Sequence, residues 1–247
     1  MTFTPGQVDE FVERGAVRLE EAFPRSLALR CQQRLWDHLA PMVPDDPATW
    51  DRPVARLPSQ ETAPFREAVA SRRWAAAIAQ LAGPAAVAHP HLAGSVAVRF
   101  PVAGDPGDDG WHIDTSFRVD GDDDWWVNHR SRGRALLMLV LFSEVGEDDA
   151  PTRMRVGSHR DVARGLVPHG DAGLPSAATL PLVAATADRP VALATGGPGD
   201  VVLCHPFLVH AAQAHRGTAP RFLAQPGVLL DGGYPPGDPC PVARALP

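Results

Sequence analysis

The pattern of the chain changes near residue 85, and that change limits the folds open to it. Before it, apolar residues recur at helical spacing. Val8, Phe11 and Val12 share one face and Gly15 reads as a helix stop, with a short apolar piece at 16–19. Residues 24–39 repeat Leu27, Cys31, Leu35 and Leu39 every four positions, one apolar stripe for core packing. Residues 41–64 are rich in Pro and Asp and read as loop, and the Ala-rich residues 65–82 read as one helix ended by Gly83-Pro84. After residue 85 short strand patterns take over, at 95–100, 111–117, 134–145, 152–156, 191–194, 201–204, 208–214 and 221–230. The run at 134–145 is mostly apolar, of strand length, and predicts a strand buried on both faces. Residues 118–133 read as a polar loop carrying Trp125 and Trp126, and 157–190 as irregular. Helices first and Gly/Pro-punctuated strands after predict a mainly β protein with flanking helices. The expected form is an antiparallel barrel or jelly roll, buttressed by N-terminal helices. No repeat or long linker divides the 247 residues, so a single domain is expected, with 1–84 as helical support and 85–235 as barrel with lid loops.

Composition removes several function classes. All 23 basic residues are Arg and the chain has no Lys, which excludes Schiff-base chemistry and a phosphate-loop lysine. An anion held by side-chain charge is therefore expected on Arg, which suits two-point carboxylate recognition. A net charge of −6 gives no basic face for nucleic acid. Three widely spaced cysteines form no disulfide or zinc pattern. With no signal-like start and no apolar run of membrane length, the expectation is a soluble cytoplasmic protein without nucleic-acid or membrane partners.

The chemistry centres on Trp111-His112-Ile113-Asp114-Thr115-Ser116-Phe117. On a strand, His112 and Asp114 share one face, and an imidazole beside a carboxylate is two thirds of the 2-His-1-carboxylate face that holds non-haem Fe(II). A third ligand has to come from a distant strand. His210 is the best candidate, because Ala212 and Ala214 on its own face leave room beside it. If 208–214 and 221–230 form a hairpin across the turn at 215–220, Arg221 lies close to this site and can bind the far carboxylate of a small dicarboxylate.

His112-x-Asp114, His210 and Arg221, in this order, resemble the Fe(II)/2-oxoglutarate dioxygenases of the phytanoyl-CoA dioxygenase family. The stretches GDDGWHIDTSF, APTRMRVGSHRDV, GDVVLCHPFLVHAAQ and VDEFVERGAVRLEEAF are similar to that family's metal strand, its Gly-Ser-His stretch, its distal-histidine region and its opening helix and strand. The resemblance implies a double-stranded β-helix, a jelly roll of cupin-like form. It implies Fe(II) on His112, Asp114 and His210, with 2-oxoglutarate on the iron and its 5-carboxylate on Arg221. Arg99 stands where the family often has a basic pocket residue, and Thr152 is a candidate hydroxyl for the same pocket. Ala212 and Ala214 depart from the hydroxyl residue and the Asn that the family often places after the distal His. The implied reaction uses O2 and yields succinate and CO2, most simply with hydroxylation of a small metabolite such as a natural-product intermediate. Asp114 argues against halogenation, since related halogenases lack this carboxylate.

Trp111, Phe117, Trp125 and Trp126 are the expected substrate neighbours, the last two as part of a lid. His159, His205 and His215 are expected to be structural, and His89-Pro90-His91 a loop. Cys204 and His205 are adjacent on a strand and point to opposite faces, so they do not form a nucleophile pair. Two rival readings remain on the same residues: a non-catalytic ligand-binding barrel, and a metal-dependent isomerase or hydrolase. Neither needs a carboxylate anchor at Arg221.

Overall fold

Six consecutive buried residues, Leu136–Leu141, form the strand on which the fold is layered. Leu136, Met138 and Val140 face a core shared with the N-terminal helices, while Leu137, Leu139 and Leu141 face a second core between two sheets. An all-apolar strand can sit in the middle of a layered fold because neither of its faces meets water. The computed structural model describes residues 1–88, 92 and 94–246, so His89-Pro90-His91 lies outside the described residues.

Among the described residues the helices are α1 (Pro5–Arg14), α2 (Arg25–Trp36), α3 (Ala63–Val69), α4 (Arg72–Ala82), α5 (Ser158–Leu166), α6 (Leu180–Ala184) and α7 (Pro241–Arg244). The strands are β1 (Ala16–Leu19), β2 (Val54–Leu57), β3 (Ala86–Val87), β4 (Val96–Arg99), β5 (Phe117–Arg118), β6 (Trp125–Val127), β7 (Leu136–Leu141), β8 (Arg153–Arg155), β9 (Leu174–Pro175), β10 (Val191–Leu193), β11 (Val201–Cys204), β12 (His210–Ala211), β13 (Arg221–Ala224) and β14 (Gly227–Leu230). The large antiparallel sheet runs β1-β11-β7-β13-β4-β2, with β14 joining β7 and β3. A small sheet, β10-β8-β12, packs Met154 and Ala194 against Leu137, Leu139, Leu141, Val202 and Leu223 of the large one. A third ribbon, β5-β6-β9, lies beside it. This is a jelly-roll arrangement of facing antiparallel sheets. No pairing among the described residues closes them into a continuous barrel.

The helices cover the far face of the large sheet. Phe11, Phe23, Leu27, Cys31, Leu35, Phe65, Trp74 and Leu81 meet Val98, Phe142 and Phe222. α1 begins on a Thr4 capping box and stops at Gly15, whose φ of 87° is left-handed. A side chain there is also blocked, since a Cβ would lie 2.5 Å from Nδ1 of His159.

The structure corrects several sequence expectations. The helix expected at 65–82 is two helices, α3 and α4, because the Ser71 hydroxyl caps the second by accepting from Trp74 N and ties it to the Ala22 carbonyl. The Pro-rich 41–64 segment contains β2, the edge strand of the large sheet, where Pro53 and Pro58 flank the paired residues without interrupting them. Residues 157–190 are not irregular. They hold α5 and α6, and Val162, Ala163 and Leu166 of α5 have the helical spacing that fills the outer core. The polar loop 118–133 includes the β5-β6 pairing. The HxD segment is not one regular strand: His112 forms an isolated bridge to His210, and only its last residue, Phe117, enters a strand, β5. The hairpin expected across 215–220 is absent. β12 pairs with β8 in the small sheet and β13 with β4 and β7 in the large one, so this connection crosses between sheets.

His159 and His205 are fully buried with ring centroids 4.7 Å apart. They tie three distant pieces together. His159 Nε2 is 3.1 Å from the Val12 carbonyl on α1, and His205 Nε2 is 3.3 Å from the Val242 carbonyl on α7. Burial pushes His159 from 6.5 down to about 4; the Val12 carbonyl and Asp161 oppose this, while Arg160 and Arg189 add to it. Burial and the neighbouring His159 lower His205 as well. Both rings are therefore neutral in the folded protein near pH 7. As pH falls below 6.5 the unfolded chain takes up protons that the folded chain refuses, so stability is present at neutral pH and is lost on the way down to about pH 4. Between pH 7 and pH 4.5, urea unfolding of wild type is expected to show a loss about 2 kcal/mol larger than that of His159→Gln, which keeps the share of His205.

Candidate metal centre

Alternation around the HxD segment survives although regular pairing does not. Trp111 and Ile113 turn to the outer core, while His112 and Asp114 turn the other way. His112 N donates to His210 O and His210 N donates to His112 O, each at 3.0 Å. This one bridge brings the HxD segment against β12. One ligand atom each from His112, Asp114 and His210 then lies within 4.8 Å of the others, with His210 Nε2 3.9 Å from Asp114 Oδ1. The imidazole centroids are 4.4 Å apart.

The donor chemistry fits a divalent transition metal. Nδ1 of His112 lies 2.8 Å from the Gly110 carbonyl and Nδ1 of His210 lies 2.9 Å from the Leu208 carbonyl. A carbonyl can only accept, so each Nδ1 carries the proton and each Nε2 keeps its lone pair, as a ligand must. Burial lowers the His210 pKa, with Asp114 opposing, which keeps that ring neutral. Burial works against ionisation of Asp114, but Arg134 and the two imidazoles outweigh it and hold the carboxyl below its usual range. Arg134 NH1 donates to Asp114 Oδ2, and its NH2 reaches the Thr115 carbonyl at 3.3 Å. One carboxylate oxygen is thus taken by Arg134 and the other faces the imidazoles. Sequence reading missed Arg134. It stands next to an apolar strand, and nothing in its spacing points to Asp114.

A cavity of about 450 Å³ opens over this face, lined by His112, Ile113, Asp114, Thr115, Trp125, Arg134 and Ser176. Of the four aromatic residues expected near a substrate, only Trp125 lines it, half exposed under the Arg118 guanidinium. Trp111 lies on the outer face of the small sheet between Arg153 and Arg155, whose guanidinium carbons sit 4.8 and 4.4 Å from its ring centre. Phe117 is buried beneath Arg132, and Trp126 donates its Nε1 to Asp122.

Arg221 comes from the large sheet and is buried, directly opposite Arg99 in the β13-β4 register. Its NH1 donates to the Ala150 carbonyl at 2.6 Å and its NH2 to the Ala97 carbonyl at 3.4 Å, and Nε has no partner. Burial and the adjacent Arg99 push its pKa down to about 9. No carboxylate hydrogen-bonds this guanidinium among the described residues, so its charge is uncompensated in a way that fits an incoming carboxylate. Arg99 has an acid partner already: its NH2 meets Asp108 Oδ1 and Oδ2 at 2.5 and 2.6 Å. Thr152 is buried two residues after Ala150 and accepts Ala194 N through its carbonyl. His215 is engaged with the Ala219 carbonyl and Gly217 N, as a turn residue.

Residues 11–223 match the family described as phytanoyl-CoA dioxygenase. No curated protein matches the chain. Among solved structures, HygX from Streptomyces hygroscopicus, crystallised with nickel, 2-oxoglutarate and hygromycin B, is similar at a TM-score of 0.58 and 16% identity, over 93% of this chain and 88% of that one. AviO1 from Streptomyces viridochromogenes Tue57 is similar at 0.62 and 19%, over 96% and 99%. The epimerase SnoN in complex with Fe3+, alpha ketoglutarate and nogalamycin RO is similar at 0.59 and 18%, over 94% and 86%. Fold, donor set and sequence match together define an iron- and 2-oxoglutarate-dependent oxygenase-type enzyme. The chain belongs to the phytanoyl-CoA dioxygenase family.

Arg134→Met is expected to weaken Fe(II) or Co(II) affinity about 10- to 100-fold in an anaerobic titration. Removing a nearby positive charge would by itself strengthen cation binding. A fall therefore reports the lost orientation of Asp114, and Arg134→Lys, with one donor group in place of the fork, is expected to fall in between.

Proposed function

We propose that the protein hydroxylates a small metabolite, a natural-product intermediate of the kind its structural relatives bind, with His112, Asp114 and His210 as the iron ligands and Arg221 as the anchor of 2-oxoglutarate. The observation that carries this reading is the pairing of a three-residue ligand face with a buried guanidinium to which no carboxylate hydrogen-bonds among the described residues. Bound at this face, Fe(II) with 2-oxoglutarate and O2 supplies the oxidising chemistry, with succinate and CO2 as co-products.

The chain's own groups divide the work. The Gly110 and Leu208 carbonyls orient the two imidazoles, and Arg134 keeps one oxygen of Asp114 occupied. Three protein ligands on one face leave the remaining positions for co-substrate and oxidant. Arg221 offers its charge to the 5-carboxylate from a strand of the opposite sheet, and Arg99 and Thr152 are the neighbours proposed to shape that end of the pocket. The 450 Å³ cavity has the size of a small-molecule site, and Trp125 and Ser176 line it together with His112 and Asp114. Hygromycin B and nogalamycin RO, bound to HygX and SnoN, support a biosynthetic intermediate as substrate. Two of the similar structures are an epimerase and a carbocyclase, which makes product analysis part of the test, because one ligand face can serve more than one oxidative outcome.

Anaerobic addition of Fe(II) and 2-oxoglutarate is the test. A visible charge-transfer band is expected only with both present, and it should be missing in His112→Ala. A wild-type protein that gives no band is not a 2-oxoglutarate oxygenase, and the ligand-binding or isomerase readings would replace this one. Arg221→Ala should leave Fe(II) bound and weaken 2-oxoglutarate by roughly 100-fold, in line with about 3 kcal/mol for a charge-assisted pair.

A further inference from the structure

Three arginines line one stretch of the large sheet's inner face. Arg221 on β13 faces Arg99 on β4 in register, and Arg56 on β2 pairs with Ala97, two residues from Arg99 and on the same side. Among the described residues a single carboxylate contacts this row. Asp108 binds Arg99 through both oxygens and also takes the Arg56 guanidinium, and its negative charge is felt at Arg221. Its side chain is 18% exposed, whereas that of Arg99 is 3% exposed. Asp108 does not come from the sheet. It lies on the connection 101–110, four residues before His112. Arg221 is not among the residues lining the cavity over the metal face.

Arg99 and Arg221 are buried while Arg56 is half exposed, so two buried guanidinium groups share the field of one carboxylate, which leaves an excess of positive charge where charge is costly to bury and favours an anion here. The same geometry makes the wanted anion compete. A second carboxylate reaching Arg221 would share Arg99 with Asp108, or sit close to it, and two like charges in one partly buried pocket repel. We infer that Asp108 is an affinity-setting residue of the co-substrate pocket, a built-in carboxylate that occupies the arginine row and weakens the binding of the 2-oxoglutarate 5-carboxylate. This rests on Arg221 being the anchor, as proposed above. It assigns Asp108 a role opposite to that of a supporting salt bridge. A carboxylate that merely holds Arg99 in place would weaken co-substrate binding when removed; one that competes strengthens it.

The experiment is calorimetric titration of 2-oxoglutarate into the Ni(II)-loaded protein, with no turnover needed. Asp108→Asn is expected to bind roughly tenfold more tightly than wild type, the gain that follows when the binding-competent arrangement rises from about a tenth of the population to nearly all of it. Asp105→Asn is the charge control. It removes the same charge from the same connection, but among the described residues Asp105 accepts only from Gly107 N, and the affinity of this variant should stay within about twofold of wild type. In an Arg221→Met background the gain from Asp108→Asn should disappear. Unfolding midpoints of all variants, together with Asp108→Ala as a second replacement, separate a misfolded protein from a weak binder. Wild-type binding with no gain, or a loss, in folded Asp108→Asn and Asp108→Ala overturns this inference alone. An equal gain in Asp105→Asn also overturns it, because the effect is then general charge. No binding by wild type or any variant overturns the co-substrate reading and this inference with it.

Discussion

Two backbone hydrogen bonds between His112 and His210 carry the site. They join a segment with no regular strand pairing of its own to a two-residue strand, β12, and through β12 to the rest of the small sheet. Everything that makes the three side chains a ligand set follows from this contact. It brings the imidazoles to 4.4 Å, and it directs Asp114, two residues on, to the same side. The carbonyls of Gly110 and Leu208 complete the arrangement, each lying two residues before the histidine it orients. The same short backbone relation on both sides leaves both Nε2 atoms free, so the preparation for a metal is mostly main-chain geometry.

The surrounding fold supplies what a bridge of two residues cannot. The small sheet is held flat against the large one by a core that includes Leu137, Leu139, Leu141, Met154 and Leu223. The large sheet is held in turn by helices packed on its far side. The three-residue donor face belongs to the small-sheet side and Arg221 to the large sheet, so their separation is set by the spacing of the two layers. That spacing is an apolar quantity, near 10 Å for packed sheets.

Charge in this chain is handled by one cation type. With no lysine, every buried positive group is a guanidinium with five donors in a fixed plane. The structure uses that in three ways. Arg134 braces the carboxylate of Asp114, Arg153 and Arg155 lie over the Trp111 ring, and Arg56, Arg99 and Arg221 share one stretch of the large sheet. Trp111 shows how local alternation and function can separate. Its neighbour His112 belongs to the site, while Trp111 itself faces away from it and serves packing between two arginines.

Much of the site was legible in the residues alone. A histidine and an aspartate two apart need only an extended backbone to share a face, and alternation holds even where regular strand pairing is reduced to one bridge. His210 could be named because its residue type matches the donor chemistry, and the apolar run could be read as doubly buried because no polar residue interrupts Leu136–Leu141. The sequence by itself thus determined the donor set, the cation type and the central strand. It could not decide which strands pair, because pairing is a long-range choice made by whole-sheet packing. This is why β12 and β13 part into different sheets where a hairpin was expected, and why a Pro-rich loop contributes the edge strand β2. For the same reason the partners Arg134 for Asp114 and Asp108 for Arg99 were invisible: no local periodicity links the members of either pair, and only the tertiary structure brings the charges together.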